Sequence, residues 1–197
     1  MPVTFFDDLK FQIPKGLYVP REDSYLAAAY LDEQQMDGEA VLDMGTGCGF
    51  LGLIASANGA DVDAVDINPM AIEVTKQNAE RNDLTIDAWE SDLFDDVDEP
   101  YDRIIFNAPY IPGSRDDRSD EQLAWYGGED GRAVIEEFIQ QASTHLNEGG
   151  ELVIVQSSMT GIEKTRTRLE EHGFEPTIVR EKKVSWEKIV VIAASKI

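Results

Sequence analysis

Apolar positions along the chain fall into short strand-like runs separated by helix-like segments. The runs cover residues 40–44, 62–66, 84–88, 103–106 and 152–155, and the segments between them that read as helices cover 51–57, 71–81 and 133–145. Strands alternating with helices argue a parallel sheet with helices on both faces. The end of the chain has a different character. A helix over 162–172, ended by Gly173, is followed by two β-rich runs, 175–180 and 184–193, with only a short gap between them. Such a gap admits a hairpin but no parallel crossover, so one strand near the C-terminus is predicted to be antiparallel. Ahead of the first run, residues 22–31 predict an extra helix with Pro20 before it. No repeat, low-complexity tract or linker divides the sequence, so residues 1–197 read as one domain on which a strand-and-helix extension, 1–35, packs.

Composition narrows the function classes. There are 39 Asp plus Glu against 17 Lys plus Arg, a formal net charge of -22. Phosphate binding depends on Lys and Arg displacing counterions, so an unaided grip on nucleic acid is disfavoured. The acids are scattered rather than gathered in a tail, as on the solubilising surface of salt-adapted proteins of an acidic proteome. The single cysteine, Cys48, cannot form an internal disulfide, and the two histidines, His145 and His172, are too few for the usual zinc arrangements. Both histidines lie near helix ends and read as caps or solvated groups. No metal site is assigned. The apolar stretch 189–194 is far short of a membrane span, and the amino end lacks a basic-then-apolar signal pattern, so a cytoplasmic location is expected.

The sequence Asp43-Met44-Gly45-Thr46-Gly47-Cys48-Gly49-Phe50 joins the first strand to a helix. Glycines there let the backbone turn tightly and approach a ligand, and the helix that follows presents unpaired N–H groups. A dinucleotide fingerprint would place glycine at Phe50, and a phosphate loop would need Gly-Lys-Ser/Thr; neither is present. The second strand ends in Asp66, about 20 residues beyond Gly45, the separation at which an acid reaches ribose hydroxyls. A helix cap is the competing role for Asp66. Strand end, glycine turn and acid together favour a nucleoside-like cofactor.

A second polar cluster stands where another apolar strand stops: Asn107-Ala108-Pro109-Tyr110. Asn107 offers an acceptor oxygen and Ala108 a backbone carbonyl, a pair able to hold two N–H groups of one amine or amide. Pro109 would stiffen the turn, and Tyr110 would supply a flat wall.

Here the sequence resembles the class I S-adenosylmethionine-dependent methyltransferases, in the branch that methylates planar nitrogens through an Asn-Pro-Pro-Tyr motif. Within it the chain is similar to the HemK family of release-factor glutamine methyltransferases, in their short archaeal and eukaryotic form. The resemblance rests on Asp43-x-Gly45-x-Gly47-x-Gly49, on Asp66 with Ile67, and on Ser91-Asp92-Leu93-Phe94. It rests also on Pro20-Arg21-Glu22-Asp23-Ser24, similar to a Pro-x-Glu-Asp-Ser/Thr motif, and on Gly127-Gly128-Glu129-Asp130-Gly131-Arg132, preceded by Trp125 and Tyr126. It implies a Rossmann-like seven-stranded, mostly parallel α/β sheet with helices on both faces. It implies S-adenosylmethionine bound by Pro20, Glu22, Asp23, Ser24, Asp43, Gly45, Gly47, Gly49, Asp66, Ile67, Asp92, Leu93 and Asn107, with Asp66 on the ribose and Asp92 on the adenine amino group. Catalysis would fall to Asn107, Ala108, Pro109 and Tyr110. One departure stands out: Ala108 replaces a proline, keeping the carbonyl but losing the fixed φ.

The implied activity is N5-methylation of the glutamine in the Gly-Gly-Gln motif of a translation release factor. A small zinc-binding activator protein is the implied partner, adding a strand along the third-strand edge from Leu84 to Trp89. Two other classes stay open: methylation of an exocyclic amine on RNA or DNA, with a basic partner supplying the grip, and a weakly active cofactor-binding interaction module.

Overall fold

The computed structural model describes residues 2–113 and 127–197. Among them, a hairpin of β1 (Val3–Phe6) and β2 (Leu9–Gln12) precedes α1 (Glu22–Asp32). The central sheet then takes β3 (Ala40–Met44), β4 (Asp61–Asp66), β5 (Asp87–Glu90), β6 (Tyr101–Asn107), β7 (Leu146–Ser157), β8 (Phe174–Val184) and β9 (Glu187–Lys196). The helices α2 (Phe50–Ala57), α3 (Pro69–Arg81), α4 (Ala133–Ala142) and α5 (Ile162–Glu171) connect them.

The strand order is β5-β4-β3-β6-β7-β9-β8, parallel from β5 to β7, with β9 antiparallel to both of its neighbours. This is the predicted mostly parallel sheet, and the short gap before β9 produces the antiparallel strand. Period two divides each central strand between two cores. Val41, Ile105, Val153, Val155 and Val191 pack with Ala27, Leu31, Leu53 and Ala71 of α1, α2 and α3. Leu42, Ile104, Phe106, Ile154 and Ile192 pack instead with Phe138 and Ile139 of α4 and Leu169 of α5.

The third parallel strand differs from its predicted position. It occupies Asp87–Glu90 rather than 84–88, pairing with β4 from Asp63↔Asp87 to Asp66↔Glu90. Asp83, in the left-handed region at φ 56, closes α3, and the Leu84 N–H bonds the Ala79 carbonyl. The Thr85 carbonyl accepts Ser56 Oγ at 3.2 Å, so Leu84 and Thr85 serve α3 and α2 rather than the ladder. The helix predicted over 133–145 ends at Ala142 and continues as a 3-10 turn, Ser143–His145.

The N-terminal hairpin is tied to α3 by two asparagines one turn apart. Asn82 exchanges two hydrogen bonds with the Lys10 backbone, at 2.8 and 3.0 Å, and Asn78 two with Gln12, at 2.9 and 3.2 Å. Asn78 also donates to the Cys48 carbonyl at 2.9 Å, which carries the tie into the glycine turn.

Candidate functional site

The carboxyl ends of β3, β4, β5 and β6 meet at one edge of the sheet, and the chain reverses its strand order between β3 and β6. Ligands in open α/β sheets sit at such a switch point. A cavity of about 550 Å³ opens there, with Pro20, Ser24, Asp43, Gly45, Gly47 and Asp66 among its wall residues. Ile67, Asp92, Leu93, Asn107 and Pro109 line it too. A second cavity of about 430 Å³ adjoins it, lined by Glu22, Asp23, Ala108 and Tyr110, with Tyr18, Asn107 and Pro109 belonging to both walls. The Pro-x-Glu-Asp-Ser segment is thus divided: Pro20 and Ser24 face the first cavity, Glu22 and Asp23 the second.

Asp43, 2% exposed, organises the glycine turn. Its Oδ2 accepts Thr46 Oγ1 at 2.7 Å and the Gly52 amide at 2.9 Å, joining the turn to α2. Burial pushes its carboxyl up to about 6, against the opposing effect of those two bonds. Asp66 is not the cap of α3. Asn68 is, its Oδ1 accepting the Met70 amide at 3.0 Å. Asp66 takes the Gly47 amide on Oδ2 and the Asn68 amide on Oδ1, each at 2.9 Å, and burial raises its carboxyl above the ordinary range. Each carboxylate oxygen can accept twice, so Asp66 retains capacity for two hydroxyls. Asp92 is exposed at the far wall, beside Leu93, whose φ is 49. Gly49 stands back as the N-cap of α2, where a Cβ would lie 3.0 Å from Thr75 Cγ2.

Asn107 closes the end of β6 in the wall between the cavities. Its Nδ2 donates to Ser24 Oγ at 3.2 Å, while its buried Oδ1 has no hydrogen-bond partner among the described residues. Ala108 is 2% exposed. Tyr110 donates its hydroxyl to Asp23 Oδ2 at 3.3 Å, and burial, with the charges of Asp23 and Glu187, raises its pKa.

The glycine segment ahead of α4 clasps this loop. The Gly127 amide bonds the Ile111 carbonyl at 3.1 Å, and the Gly113 amide bonds Gly128 at 2.8 Å. Arg132, 5% exposed, anchors the clasp, donating to Gly161 O at 3.2 Å, Thr165 Oγ1 at 3.0 Å and Glu136 Oε1 at 3.0 Å. Trp125 and Tyr126 lie outside the described residues.

Sequence reasoning passed over Met159, Val184, Glu187 and Ile189, which line the second cavity. They arrive because β9 is antiparallel: the β8–β9 turn lies at the sheet edge where β7 ends, with Ser157 opposite Ile189. His172 ends α5, its Nδ1 2.8 Å from the Arg168 carbonyl, and His145 stacks on Phe94. Burial pushes the Cys48 thiol up to about 12, so it remains protonated.

A family model, the methyltransferase small domain, matches residues 23–184. The chain belongs to that family. A Methanocaldococcus jannaschii protein provisionally named a protein N5-glutamine methyltransferase is 37% identical over 191 residues, 95% of this chain and 96% of that one. The release factor glutamine methyltransferase of Streptococcus pneumoniae is 31% identical over 161 residues, and the match covers 76% of this chain but 57% of that protein. Among solved structures, one chain of the E. cuniculi Mtq2-Trm112 complex, described as responsible for methylating the eRF1 termination factor, superimposes with TM-score 0.76 at 24% identity, covering 92% of this chain and 99% of that one.

For this methyltransferase, family membership implies S-adenosylmethionine, and the first cavity fits it. Gly47 has φ 60 and lines this cavity, and beyond its chain neighbours a Cβ there would meet nothing among the described residues within 4 Å. Asp66, in the same wall, retains acceptor capacity of the kind ribose hydroxyls would need. Asn107, whose buried Oδ1 has no partner among the described residues, belongs to the walls of both cavities.

Among the described residues, no helix is long and apolar enough to cross a membrane.

Proposed function

We propose that this methyltransferase transfers the methyl group of S-adenosylmethionine to the side-chain amide nitrogen of a glutamine, in the Gly-Gly-Gln motif of a translation release factor. The single observation that carries the reading is Asn107, shared by two cavities, with a buried acceptor unpartnered among the described residues. The names of the relatives support the substrate class.

An amide nitrogen is a poor nucleophile because its lone pair is delocalised. When bound, S-adenosylmethionine supplies a methyl already activated on a sulfonium, so the chain's task is to orient and polarise. Asp66 would hold the ribose, Asp92 the adenine amino group, and Gly45 and Gly47 would give the backbone close approach. From the second cavity, Asn107 Oδ1 and the Ala108 carbonyl accept the two amide hydrogens. They turn the nitrogen toward the first cavity and stabilise the positive charge that develops on it. Tyr110, held by Asp23, packs against the amide plane.

The partner reading remains at the other end of the sheet. β5 is an edge strand, and an activator strand would add along Asp87–Glu90 rather than along the whole run from Leu84 to Trp89. Trp89 is half-buried, with its indole N–H on the Asp96 carbonyl at 2.9 Å, so it borders that edge as a fixed wall. The Mtq2-Trm112 complex supports a second subunit.

Mass spectrometry of a release factor incubated with S-adenosylmethionine and this protein, alone and with an activator, tests the proposal. A methyl on the Gly-Gly-Gln glutamine is expected, lost about 100-fold or more with Asn107→Ala while cofactor binding persists. Methyl incorporation into RNA and none into the release factor would replace glutamine by a base amine.

A further inference from the structure

Asp23 and Ser24 are buried in the first turn of α1, 5% and 3% exposed, and they join Asn107 in one chain of hydrogen bonds. Its directions follow from the chemistry of each group. A carboxylate can only accept. Asp23 Oδ1 takes the Tyr18 hydroxyl at 2.6 Å, the Ser24 amide at 2.6 Å and Ser24 Oγ at 3.2 Å, and Oδ2 takes the Tyr110 hydroxyl. Both tyrosines have raised pKa values, chiefly through burial, so both remain donors. Ser24 has one hydroxyl proton, which Asp23 Oδ1 accepts at 3.2 Å, with the Tyr18 hydroxyl also in its reach. With that proton on Asp23, only lone pairs are left to face Asn107, and the 3.2 Å contact runs from Asn107 Nδ2 to Ser24 Oγ.

An asparagine amide has two ends of similar shape and opposite polarity. With Nδ2 on Ser24, Oδ1 is turned away from it, buried and without a partner among the described residues. Turned over, the same side chain would point two N–H donors at the incoming amide N–H, donor against donor. We propose that Asp23 and Ser24 are positioning residues that fix the hydrogen-bond polarity of Asn107, so that its oxygen and not its nitrogen faces the acceptor substrate.

This rests on the reading of Asn107 as the amide-orienting group, and it gives the Asp-Ser/Thr pair a role other than holding the cofactor. A hydroxyl at position 24 is required, whether from Ser or Thr. A carboxylate at position 23 is required because an amide there could donate to Ser24 and reverse the chain.

The test compares Ser24→Ala, Ser24→Thr and Asp23→Asn in the full chain. Ser24→Ala leaves Asn107 free to turn, and kcat for methyl transfer to the release factor should fall about tenfold to a hundredfold with KM and the Kd for S-adenosylmethionine unchanged. Asp23→Asn, nearly isosteric, should lose rate in the same way, and Ser24→Thr should restore the wild-type kcat. A rise in cofactor Kd with kcat unchanged at saturation would overturn the proposal and return Ser24 to the cofactor site. A second measurement needs no substrate. The Asn107 side-chain amide resonances, assigned by their loss in Asn107→Asp, should exchange slowly with solvent in the wild type and Ser24→Thr and fast in Ser24→Ala. Equal exchange in all three would overturn the proposal even if methyl transfer to glutamine is observed. Failure of the wild type to methylate glutamine, with the resonances behaving as expected, would overturn only the substrate reading.

Discussion

Two glycine-rich segments flank Asn107, and their glycines are required for opposite reasons. In the turn after β3, Gly47 borders the first cavity, and beyond its chain neighbours a Cβ there would meet nothing among the described residues within 4 Å. In the segment before α4, a Cβ on Gly127 would lie 2.5 Å from the Pro109 carbonyl oxygen, and one on Gly131 would overlap the Tyr110 carbonyl oxygen. The first segment leaves room for something that is not protein. The second lets one stretch of backbone lie directly on another, pressing the loop that carries Asn107, Ala108 and Tyr110 into place. A sequence reader sees two glycine clusters of similar density; only the neighbours separate a ligand cradle from a structural clasp.

Substitution should separate them by readout. Gly131→Ala must push the Tyr110 backbone aside and also forces alanine into φ 76. We expect a loss of about 2–3 kcal/mol, a fall in thermal midpoint of about 5–10 °C, and the larger part of the methyl-transfer rate lost. Cofactor affinity should be nearly spared. Gly47→Ala folds with a smaller penalty but sets a methyl group into the first cavity, so the cofactor Kd should rise about tenfold, equivalent to about 1.4 kcal/mol. Calorimetric titration with S-adenosylmethionine beside thermal unfolding distinguishes the two. Equal loss of cofactor binding in both variants would break the comparison.

The difference also measures what sequence reading reaches. The glycine turn, Asp66 and the Asn107 loop were legible because each sits where an apolar strand stops, and a parallel sheet sends all such ends to one edge. The antiparallel strand was legible because the gap before β9 is too short for any crossover. The division of Pro20 and Ser24 from Glu22 and Asp23 was not, since it depends on which face of a helical turn meets which cavity. Neither was the contribution of Met159, Val184 and Glu187, which depends on strand order across the sheet rather than on local pattern. The third strand was misplaced because Leu84 and Ile86 alternate like a strand, while the backbones of Leu84 and Thr85 serve the end of α3 and α2.

A pH experiment sharpens the comparison on the cradle side. Burial holds the Asp43 carboxyl at about 6, above the ordinary ~3.9, so the folded chain binds that proton more tightly than the unfolded chain. The associated stability is fully present below about pH 4 and is lost as pH rises through about 6, a difference of about 3 kcal/mol in all. Roughly 1–2 kcal/mol of it should disappear between about pH 5 and pH 7.5. Asp43→Asn removes the titration while an amide oxygen can still accept Thr46 Oγ1 and the Gly52 amide, both of which bond a single oxygen in the wild type. Denaturant unfolding at the two pH values should therefore show the wild type losing more stability than the variant on going from the lower to the higher. Parallel losses would mean that Asp43 titrates in its ordinary range and that the turn holds a buried carboxylate already charged at the lower pH.

The smallest effect belongs to the clasp side, at Ala108, where the related motif has proline. Proline presets φ and restricts the unfolded chain. Here the fold supplies the order instead: the Tyr110 hydroxyl is held by Asp23, Gly127 bonds Ile111, Gly113 bonds Gly128, and Gly127 packs on Pro109. With the loop already held from outside, Ala108→Pro should add no more than about 0.4–1 kcal/mol of stability, through the unfolded state, and leave the methyl-transfer rate close to wild type. A large gain in rate would show that the clasp leaves the loop loose and that alanine costs catalysis. A loss of stability would show that residue 108 has a backbone conformation proline cannot enter, and that the clasp has drawn the loop away from the geometry of its relatives.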